Sequence, residues 1–466
     1  MSSLLLLGVN SKILHNGKMD FIDKFREALK IPTWWPPETD AGDKDAEAAL
    51  IRFQEFLTEA FPAFHKAAQR WVLSPYSFIY HLPGNLPGEN AQSGIGPVLF
   101  LGHYDVVPAE TEKWSVDPFG AEMKDGYIYS RGSLDMKNGI ICMLEAVENL
   151  CAAGWKPKRD IWFAFGGDEE RAGILGSKKT VRWMEERKLN FDWVLDEGTP
   201  IAENQIKGIT SPLALVSIEE KGYLSLNLTV EQDPGHASRP PKVQAAAVLA
   251  RALCRIEKRP FPFMLSTTVE TFFKQIAPLM PGIKGFVMRN ARALGPLFFK
   301  LAATSPTMEA MLRTTIAMTQ LSGSAADNVM PSEVRAVINM RLLWPWTAEK
   351  ATAFIKKSIN DERVKISVYN LATDPVPPSR EYRQYGWQEI ETAMKETWPG
   401  IPMLPFLMVA TTDSRHYQGI SKCLLRFCPF KLDTKELSAV HGHDERISVE
   451  NLRQGLKFYS GFLKIL

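Results

Sequence analysis

Apolar residues recur with helical spacing in two segments near the start of the chain. In residues 18–30 and again in residues 46–61, large apolar side chains return every three or four positions, as they do on the buried face of a helix. The run PTWWPP at residues 32–37 separates the two segments and cannot continue a helix. The pattern therefore predicts a helical extension within the first ninety residues.

Short apolar runs then alternate with amphipathic segments as far as residue 195. Strands are predicted at residues 98–101, 161–165 and 193–195, and helices at residues 138–153 and 177–187. Alternation of strand and helix is typical of an α/β sheet that has helices packed on its faces. We therefore predict an α/β domain in this part of the chain.

The pattern changes near residue 211, where strands of a different kind begin. Residues 224–230 (LSLNLTV) alternate strictly between apolar and polar, and residues 334–342 alternate in a similar way, as half-buried antiparallel strands do. The α/β pattern returns after residue 374. The sequence therefore predicts a larger domain formed by residues 1–212 and 376–466, with a smaller α+β domain inserted at residues 213–375.

Composition excludes some classes of function. The chain has 466 residues with 55 Lys and Arg against 53 Asp and Glu, which gives a net charge of +2. Nucleic-acid-binding proteins usually carry a basic excess, so we expect no nucleic-acid partner.

The cysteines bear on the cellular location. The five cysteines are irregularly spaced and include no CxxC pair, which predicts neither a disulfide framework nor a cysteine zinc site. A reducing, cytoplasmic location is therefore expected. No stretch supplies the roughly 20 apolar residues of a membrane-spanning helix. The apolar run LLLL at residues 4–7 keeps secretion or membrane association open as alternatives.

Acidic and imidazole groups follow each of the three predicted strands. HYD stands at residues 103–105, GDEE at residues 167–170 and DEG at residues 196–198. Ligands bind outside the carboxyl ends of strands in open α/β sheets, so these side chains should meet at one edge. A further carboxylate, Asp135, lies just before the predicted helix at residues 138–153. The sequence therefore predicts a metal site at this edge of the sheet.

Each of these groups alone also has an ordinary structural explanation. His103 would be a satisfied core histidine, Asp135 a helix N-cap, and the DEE run a solvated acidic loop. One metal site explains all of them together, and for that reason we favour it. Imidazole and carboxylate ligands without thiolate suit catalytic Zn²⁺, and in aminopeptidase-type enzymes two such ions lie ~3.5–4 Å apart.

Neighbouring residues indicate how such a site would work. Asp105 follows His103 by two positions and is placed to orient that imidazole. Of the adjacent Glu169 and Glu170, one can bind metal while the other moves the proton of a metal-bound water.

The order of these motifs resembles the dizinc metallopeptidase family of aminoacylases, carboxypeptidase S, glutamate carboxypeptidase and succinyl-diaminopimelate desuccinylase. The matching runs are HYDVVP at 103–108, RGSLDMK at 131–137, DEE at 168–170, DEG at 196–198, GHAS at 235–238, NVMP at 328–331, TDSR at 412–415 and HGHDER at 441–446. The chain looks most like carboxypeptidase S and the branch that hydrolyses N-fatty-acyl amino acids. The resemblance implies an α/β, mixed-sheet zinc-peptidase catalytic domain with an inserted α+β lid or dimerisation domain.

The resemblance also implies a site for two Zn²⁺ ions, with Co²⁺ or Mn²⁺ as alternatives. The implied ligands are His103, Asp135 as the bridge, Glu170, either Asp196 or Glu197, and His441. A cis peptide is expected after Asp135. Glu169 is the implied general base and acid, and Asp105 supports the imidazole before it.

Residues of the inserted domain, together with Arg415 of the larger domain, complete the implied site. His236 would polarise the scissile carbonyl, in some relatives from the partner subunit, which implies a homodimer formed through the lid. Asn328, Arg341 and Arg415 are the implied contacts of a substrate carboxylate, because a guanidinium fork suits that group. A turn for Asn328 and structural ion pairs for the arginines are the alternatives. Asn339 stands where the family usually has Asp, which weakens the assignment of Arg341.

One segment departs from compact members of the family. Residues 271–308 contain no acidic residue but carry five basic residues interleaved with phenylalanines. A helical pair that packs within the small domain is one interpretation. Contact with a lipid-like acyl chain or a membrane interface is the other.

The implied activity is hydrolysis of an amide bond next to a free carboxylate, by Glu169-assisted attack of a zinc-bound water. The substrate would be a small molecule or peptide, namely an N-acyl amino acid or a C-terminal peptide bond. The alternative is an amidohydrolase that uses the same dizinc site on a small xenobiotic or lipid amide. A non-catalytic protein of this fold is disfavoured because the candidate ligands are all present.

Overall fold

The protein divides into two compact units. The computed structural model describes residues 19–35, 43–85, 95–206 and 208–466. The first unit comprises Met1–Ala214, Arg383–Met403 and Gly419–Leu466, and the second comprises Leu215–Tyr382 and Leu404–Gln418. The apolar run at residues 4–7 lies outside the described residues.

Helices and strands are numbered here in chain order. The α-helices are α1 Phe21–Leu29, α2 Lys44–Ala60, α3 Pro62–Ala67, α4 Lys137–Ala152, α5 Ser177–Glu186, α6 Ala245–Glu257, α7 Thr267–Ile276, α8 Ile283–Arg289, α9 Ala291–Ala302, α10 Pro306–Leu312, α11 Ala348–Ile359, α12 Trp387–Thr397, α13 Thr434–Ala439 and α14 Val449–Lys464. The strands are β1 Gln69–Ser74, β2 Ser77–Leu82, β3 Val98–His103, β4 Glu122–Lys124, β5 Tyr127–Tyr129, β6 Ile161–Gly166, β7 Trp193–Asp196, β8 Ile201–Ala202, β9 Leu213–Glu220, β10 Gly222–Glu231, β11 Gly235–His236, β12 Thr315–Ser322, β13 Val329–Met330, β14 Glu333–Leu342, β15 Lys365–Thr373, β16 Met403–Met408, β17 Leu424–Arg426, β18 Lys431–Leu432 and β19 Arg446–Ser448.

Local sequence explains where several of the predicted helices begin and end. The side chain of Asp20 caps α1 by accepting the N–H of Asp23 at 2.8 Å. Asp43 caps α2 in the same way, through the N–H groups of the first turn. Gly154, with φ of 78°, lies just beyond α4 in the left-handed conformation that often terminates a helix. The predicted helices at 138–153 and 177–187 are therefore present as α4 and α5.

A mixed sheet forms the core of the first unit. Strands β3, β6, β7 and β17 run parallel, and β2 pairs antiparallel with β6 and with β1. Every residue of β3 and β6 is buried, which is why both read in the sequence as continuous apolar runs. This sheet and its helices confirm the predicted α/β class.

The N-terminal residues contribute more than the predicted helices. Strands β1 and β2 form an antiparallel hairpin at residues 69–82, a part of the N-terminal extension for which the pattern predicted no element. Strand β2 is buried along almost its whole length and shows no apolar–polar alternation that could have revealed it. Upstream of it, Lys24 of α1 forms a buried ion pair with Glu145 of α4, with Nζ and Oε2 2.7 Å apart.

The second unit is an α+β arrangement around an antiparallel sheet. Its strand order is β12-β14-β10-β15, with Leu224 opposite Met340 and Leu228 opposite Ala336. The inward side chains of β10 and β14 pack with those of α6 and α11 in one apolar cluster. The basic segment 271–308 forms part of α7, all of α8 and α9 and the start of α10, rather than a single helical pair.

Two further observations bear on the sequence-based expectations. None of the helices in the described ranges combines the length and apolar character that crossing a bilayer requires. The five cysteines all lie in the described ranges, and each is free.

Candidate metal centre

Candidate site residues of the first unit lie where three parallel strands end. Strand β3 ends at His103, which is opposite Gly166 at the end of β6, and β7 ends at Asp196. The polar residues predicted from the sequence therefore meet at the carboxyl edge of the sheet, as the strand order requires.

Asp135 is shared by two groups of potential metal ligands. His103 Nε2 lies 2.9 Å from Asp135 Oδ1 and 3.4 Å from Glu197 Oε1. His441 Nε2 lies 2.9 Å from Asp135 Oδ2 and 3.0 Å from Glu170 Oε1. The ligand atoms within each group lie within 4.8 Å of one another. The two oxygens of one carboxylate thus face two different ligand groups.

The backbone presents Asp135 to these groups instead of using it as a helix cap. Met136 occupies the N-cap position of α4, and the Asp135–Met136 peptide is cis, as the resemblance implied. Glu445 Oε1 accepts the N–H of Leu134 at 2.7 Å and that of Asp135 at 3.3 Å. The N-cap interpretation of Asp135 is therefore wrong, because its carboxylate faces two imidazoles.

Asp105 orients both His103 and the pair of glutamates. The Nδ1 of His103 lies 3.0 Å from the backbone oxygen of Asp105, and donation to this carbonyl leaves Nε2 free to bind a metal. The two carboxylate oxygens of Asp105 accept the N–H groups of Glu169 and Glu170, each at 3.1 Å. The sequence predicted that Asp105 supports the imidazole; the structure adds that its carboxylate fixes the turn that carries the glutamates.

A strained turn carries His441. Its φ of 60° lies in the left-handed region, which costs a non-glycine residue on the order of 1–3 kcal/mol unless its surroundings hold it. Arg131 Nη2 donates to the carbonyls of His441 at 3.3 Å and Gly442 at 3.0 Å. Arg131 Nη1 is also paired with Glu445 Oε2 at 2.7 Å. The ion pair therefore connects the turn of His441 with the loop of Asp135.

The two ligand groups differ in exposure. His103 is buried, whereas half of the His441 side chain is exposed to solvent. The group that contains His441 therefore opens towards solvent.

Electrostatics indicate that the centre attracts positive charge. Burial lowers the pKa of His103, but Glu197 and the hydrogen-bonded Asp105 and Asp135 outweigh burial and hold it well above its ordinary value. Hydrogen bonds to Asp135 and Glu170 raise the pKa of His441 to about 10. Both shifts mean that the surrounding carboxylates favour positive charge at this centre.

Burial raises the pKa of two glutamates of the centre, because it disfavours their charged form. It raises the pKa of Glu197 to about 8 and that of Glu170 above its usual range. Crowded buried carboxylates of this kind are costly unless a positive charge lies between them.

The donor atoms fit a divalent metal. Imidazole nitrogens and carboxylate oxygens are the ligands of catalytic zinc, and both occur in each group. The nearby thiol of Cys428 accepts the N–H of Gly198 at 3.4 Å, and burial raises its pKa. Cys428 belongs to neither of the two ligand groups.

The alternatives Asp196 and Glu197 occupy different positions. Glu197 belongs to the ligand group of His103, whereas Asp196 Oδ1 accepts the backbone N–H of Glu197 at 2.8 Å. The geometry thus favours Glu197 as the ligand, with Asp196 holding its backbone.

Two of the predicted substrate residues lie together in the second unit. His236 lies on the two-stranded ribbon β11–β13, and Asn328 directly precedes β13; the N–H of Ala237 donates to the carbonyl of Asn328 at 3.0 Å. Both residues are exposed. The Nδ1 of His236 accepts the N–H of Ser238 at 3.1 Å, so in the neutral imidazole the proton lies on Nε2.

The two arginines occupy other elements of that unit. Arg341 lies on β14 with its guanidinium over the ring of Tyr223, 5.0 Å from the ring centroid. Among the described residues no carboxylate forms an ion pair with Arg341, so the structural ion pair considered for it is absent there. Arg415 lies in the turn Asp413–Ile420 and donates through Nη1 to the carbonyl of Thr412.

Sequence reasoning missed the residues that hold the centre together. Arg131 and Glu445 lie inside the matched motifs, but no role was predicted for them. The same is true of Asp168, whose carboxylate accepts the N–H groups of Leu175 at 2.6 Å and Gly176 at 2.8 Å. What distinguishes these residues is that they are charged and yet buried. Burial cannot be read from a single sequence, so they could not be identified there.

Comparison with known proteins places these observations in context. Residues 99–465 match the profile of Peptidase family M20/M25/M40. The chain is 32% identical over 452 residues to the N-fatty-acyl-amino acid synthase/hydrolase PM20D1 of Xenopus tropicalis, covering 96% of this chain and 86% of that protein. It is 33% identical over 431 residues to a probable carboxypeptidase S-like 2 of Dictyostelium discoideum, covering 92% of this chain and 81% of that protein.

Solved structures share the fold. The M20 family metallo-carboxypeptidase Sso-CP2 of Sulfolobus solfataricus superposes with a TM-score of 0.71 at 16% identity, covering 96% of this chain and 99% of that one. Human carnosine dipeptidase 1 gives a TM-score of 0.63 at 17% identity, covering 96% of each chain. The profile match and the relatives at 32–33% identity confirm the predicted family, and the chain is a metal-dependent hydrolase that belongs to Peptidase family M20/M25/M40.

Proposed function

We propose that the centre binds two divalent metal ions, preferably Zn²⁺, with Co²⁺ or Mn²⁺ as substitutes. His103 and Glu197 would hold one ion, Glu170 and His441 the other, and Asp135 would bridge them. The observation that carries this proposal is the opposite orientation of the two Asp135 oxygens towards the two groups. When bound, the metal acidifies water and polarises the amide carbonyl.

Glu169 supplies the proton transfer in this proposal. It is the one of the two adjacent glutamates that lies outside the ligand groups of the described residues, as expected of the residue that moves a proton while its neighbour binds metal. Glu169 takes a proton from water as the water oxygen bonds to the carbonyl carbon. The C–N bond then breaks, and Glu169 returns the proton to the leaving nitrogen, so the products are a carboxylic acid and an amine.

His236 stabilises the oxyanion of that reaction. With Nδ1 accepting the N–H of Ser238, its Nε2–H is a hydrogen-bond donor of the kind that an oxyanion needs. The residue after His236, Ala237, donates its N–H to the carbonyl of Asn328, so both His236 and Asn328 would contact the same part of a substrate.

Arg341 and Arg415 are proposed to bind the free carboxylate of the substrate. A guanidinium can hold a carboxylate through two parallel hydrogen bonds. Since Arg341 forms no ion pair among the described residues, its charge is available to such a ligand.

An N-acyl amino acid with a long apolar chain is the substrate class we favour over a C-terminal peptide bond. Four large apolar side chains of α8 and α9 are more than half exposed, namely Ile283 at 78%, Phe286 at 61%, Leu297 at 58% and Leu301 at 52%. Such exposure suits an acyl chain. The similarity to an N-fatty-acyl-amino acid synthase/hydrolase supports this class and disfavours the alternative of a xenobiotic amide.

We also propose a homodimer formed through the second unit. Strand β12 is an edge strand of its sheet, and most of its residues are exposed, Met318 and Leu321 included. An exposed edge with apolar side chains is a site where a second copy can pair.

A hydrolysis screen tests the proposed function. Purified protein is assayed against N-acyl amino acids with short and long acyl chains, against dipeptides, and against the methyl esters of the same acyl amino acids. We expect cleavage of the free acids, preference for long chains, little cleavage of the esters, and loss of activity with a chelator that added Zn²⁺ restores. Equal cleavage of acids and esters would contradict the proposed carboxylate recognition.

A further inference from the structure

A segment upstream of the family match contacts the backbone on both sides of Asp105. We call residues 31–35 the Thr33 segment. Thr33 is completely buried, and its hydroxyl donates to the carbonyl of Tyr104. Its own carbonyl accepts the N–H of Val106 at 3.1 Å, and Trp34 forms a parallel bridge with Val106. Both peptide groups that flank Asp105 are thus held by one residue.

These peptide groups are the ones that orient the metal centre. The peptide between Asp105 and Val106 carries the N–H that Thr33 binds and also the carbonyl oxygen that lies 3.0 Å from His103 Nδ1. The carboxylate between the two peptides accepts the N–H groups of Glu169 and Glu170. A rotation of either peptide would therefore displace an imidazole and two glutamates together.

The same segment contacts the loop of Asp135. Lys137, two residues after Asp135, is buried, and its ammonium donates to the carbonyls of Ala28 at 3.1 Å and Ile31 at 2.7 Å. These are carbonyls near the end of α1 that no further helical turn would satisfy. The ammonium thus joins the start of α4 to the beginning of the Thr33 segment.

A third contact reaches the turn of the glutamates. The ring of Trp35 lies 4.8 Å from that of Tyr76, and the guanidinium of Arg171 lies 4.9 Å from the centroid of the Trp35 ring. Arg171 belongs to the turn Glu169–Arg171, and the carbonyl of Tyr76 accepts the N–H of Gly167 just before it. Trp35 therefore packs against two residues, Tyr76 and Arg171, that hold or belong to the turn of Glu169 and Glu170.

We propose that the Thr33 segment is a positioning element of the metal centre, in which Thr33 fixes the peptides of Asp105 and Trp35 fixes the turn of Glu169. This inference rests on the proposed function, since it assigns a role toward the proposed metal ions. The segment lies outside residues 99–465, the part of the chain that matches the family profile. Residues outside the family match thus help to position the potential metal ligands.

Two substitutions at one position separate the hydroxyl from the shape of the side chain. Thr33→Val removes the hydroxyl and keeps the branched shape, and Thr33→Ser keeps the hydroxyl and loses the methyl. The readouts are the rate at which Zn²⁺-loaded protein releases metal to an excess of chromogenic chelator, and kcat and KM separately. Because partners outside the ligand shell usually contribute 10–100-fold, we expect Thr33→Val to release metal about 10-fold faster and to lower kcat with KM unchanged. Thr33→Ser should behave as the wild type.

Controls distinguish positioning from general stability. Thr58→Val makes the same substitution within α2, where the hydroxyl donates to the carbonyl of Gln54 at 3.2 Å, and should leave metal release unchanged. Trp35→Leu should also accelerate metal release. If Thr33→Val does not melt cooperatively and is therefore not folded, the metal release of Trp35→Leu tests the positioning role instead. If Thr33→Val and Trp35→Leu both fold, and both release metal and turn over substrate at the wild-type rates, the inference is overturned. A wild-type protein that binds Zn²⁺ but cleaves no amide would overturn the proposed function instead.

Discussion

Arg131 and Glu445 form an ion pair that is almost completely buried, with Nη1 and Oε2 2.7 Å apart. Each partner also holds a different part of the candidate metal centre. Arg131 donates to the carbonyls of the turn that carries His441, and Glu445 accepts the N–H of Asp135. The pair is therefore a structural connection between two potential ligands that lie far apart in the sequence.

Removal of one partner should be costly in two ways. Glu445→Ala leaves the Arg131 guanidinium buried without its charge partner, which typically costs 3–5 kcal/mol of folding stability. It also removes the acceptor of the Leu134 and Asp135 N–H groups, so metal affinity should fall as well. Chemical denaturation and metal analysis of the purified variant would check this. Glu445→Gln keeps an acceptor and should lose less of both; equal losses in the two variants would argue against the backbone role.

Metal stoichiometry should depend on which ligand is removed. Asp135→Ala removes the residue that both ligand groups share and should bind neither ion. Glu170→Ala removes a residue of one group only and should retain about one ion, while the wild type binds two. Metal analysis after dialysis measures this directly. If Asp135→Ala kept two ions per chain, the bridging role would be wrong.

Stability should depend on pH through Glu219 in the second unit. Burial raises the pKa of Glu219 from 4.5 to about 7, although the Ser266 hydroxyl and the Lys221 ammonium favour its ionised form. The folded protein therefore binds a proton that the unfolded chain releases, and this stabilisation is present below pH 4.5 and lost as the pH rises to about 7. A shift of this size corresponds to as much as about 3 kcal/mol.

Glu219→Gln should remove that dependence. The difference in melting temperature between pH 5 and pH 8 should be smaller in the variant than in the wild type, because glutamine stays neutral at both. Glu231→Gln removes an exposed carboxylate of the same unit and should reproduce the wild-type difference. An unchanged difference in Glu219→Gln would mean that this carboxyl does not titrate in the folded protein.

The exposed apolar residues of α8 should affect long substrates selectively. Phe286→Ser should raise KM for a long-chain N-acyl amino acid, since less apolar surface is buried, and leave KM for a short-chain substrate unchanged. Steady-state kinetics across a series of acyl lengths would show this as a shallower dependence of KM on chain length. Val72→Ser, which alters an exposed apolar residue of the first unit, is the matched control. The same slope in Phe286→Ser and the wild type would count against acyl contact there.

Much of the fold could be predicted because its signals are local. Amphipathic spacing identified α4 and α5, and strict alternation identified β10 and β14. The hairpin β1–β2 was missed because β2 is buried on both faces and shows no period.

The residues of the candidate site also fall into two kinds, those that local sequence identifies and those that only the fold reveals. His103, Asp135, Glu170 and His441 could be identified from motifs because their chemistry resides in the residue type. The contributions of Arg131, Glu445 and Thr33 could not, since each acts through contacts between segments that are distant in the chain. Asp105 falls between these cases: its support of His103 was predicted, but its hold on the backbone of Glu169 depends on the fold.

The central claim is that Glu169 moves the proton while neighbouring residues hold the metal, and the Glu169→Gln variant tests it most directly. Turnover of an N-acyl amino acid and metal content should be measured on the same preparation, beside the wild type. The account predicts that kcat falls by about 10²–10⁴-fold or more while the metal content stays at the wild-type value. Near-full activity, or loss of activity together with loss of metal, would contradict it.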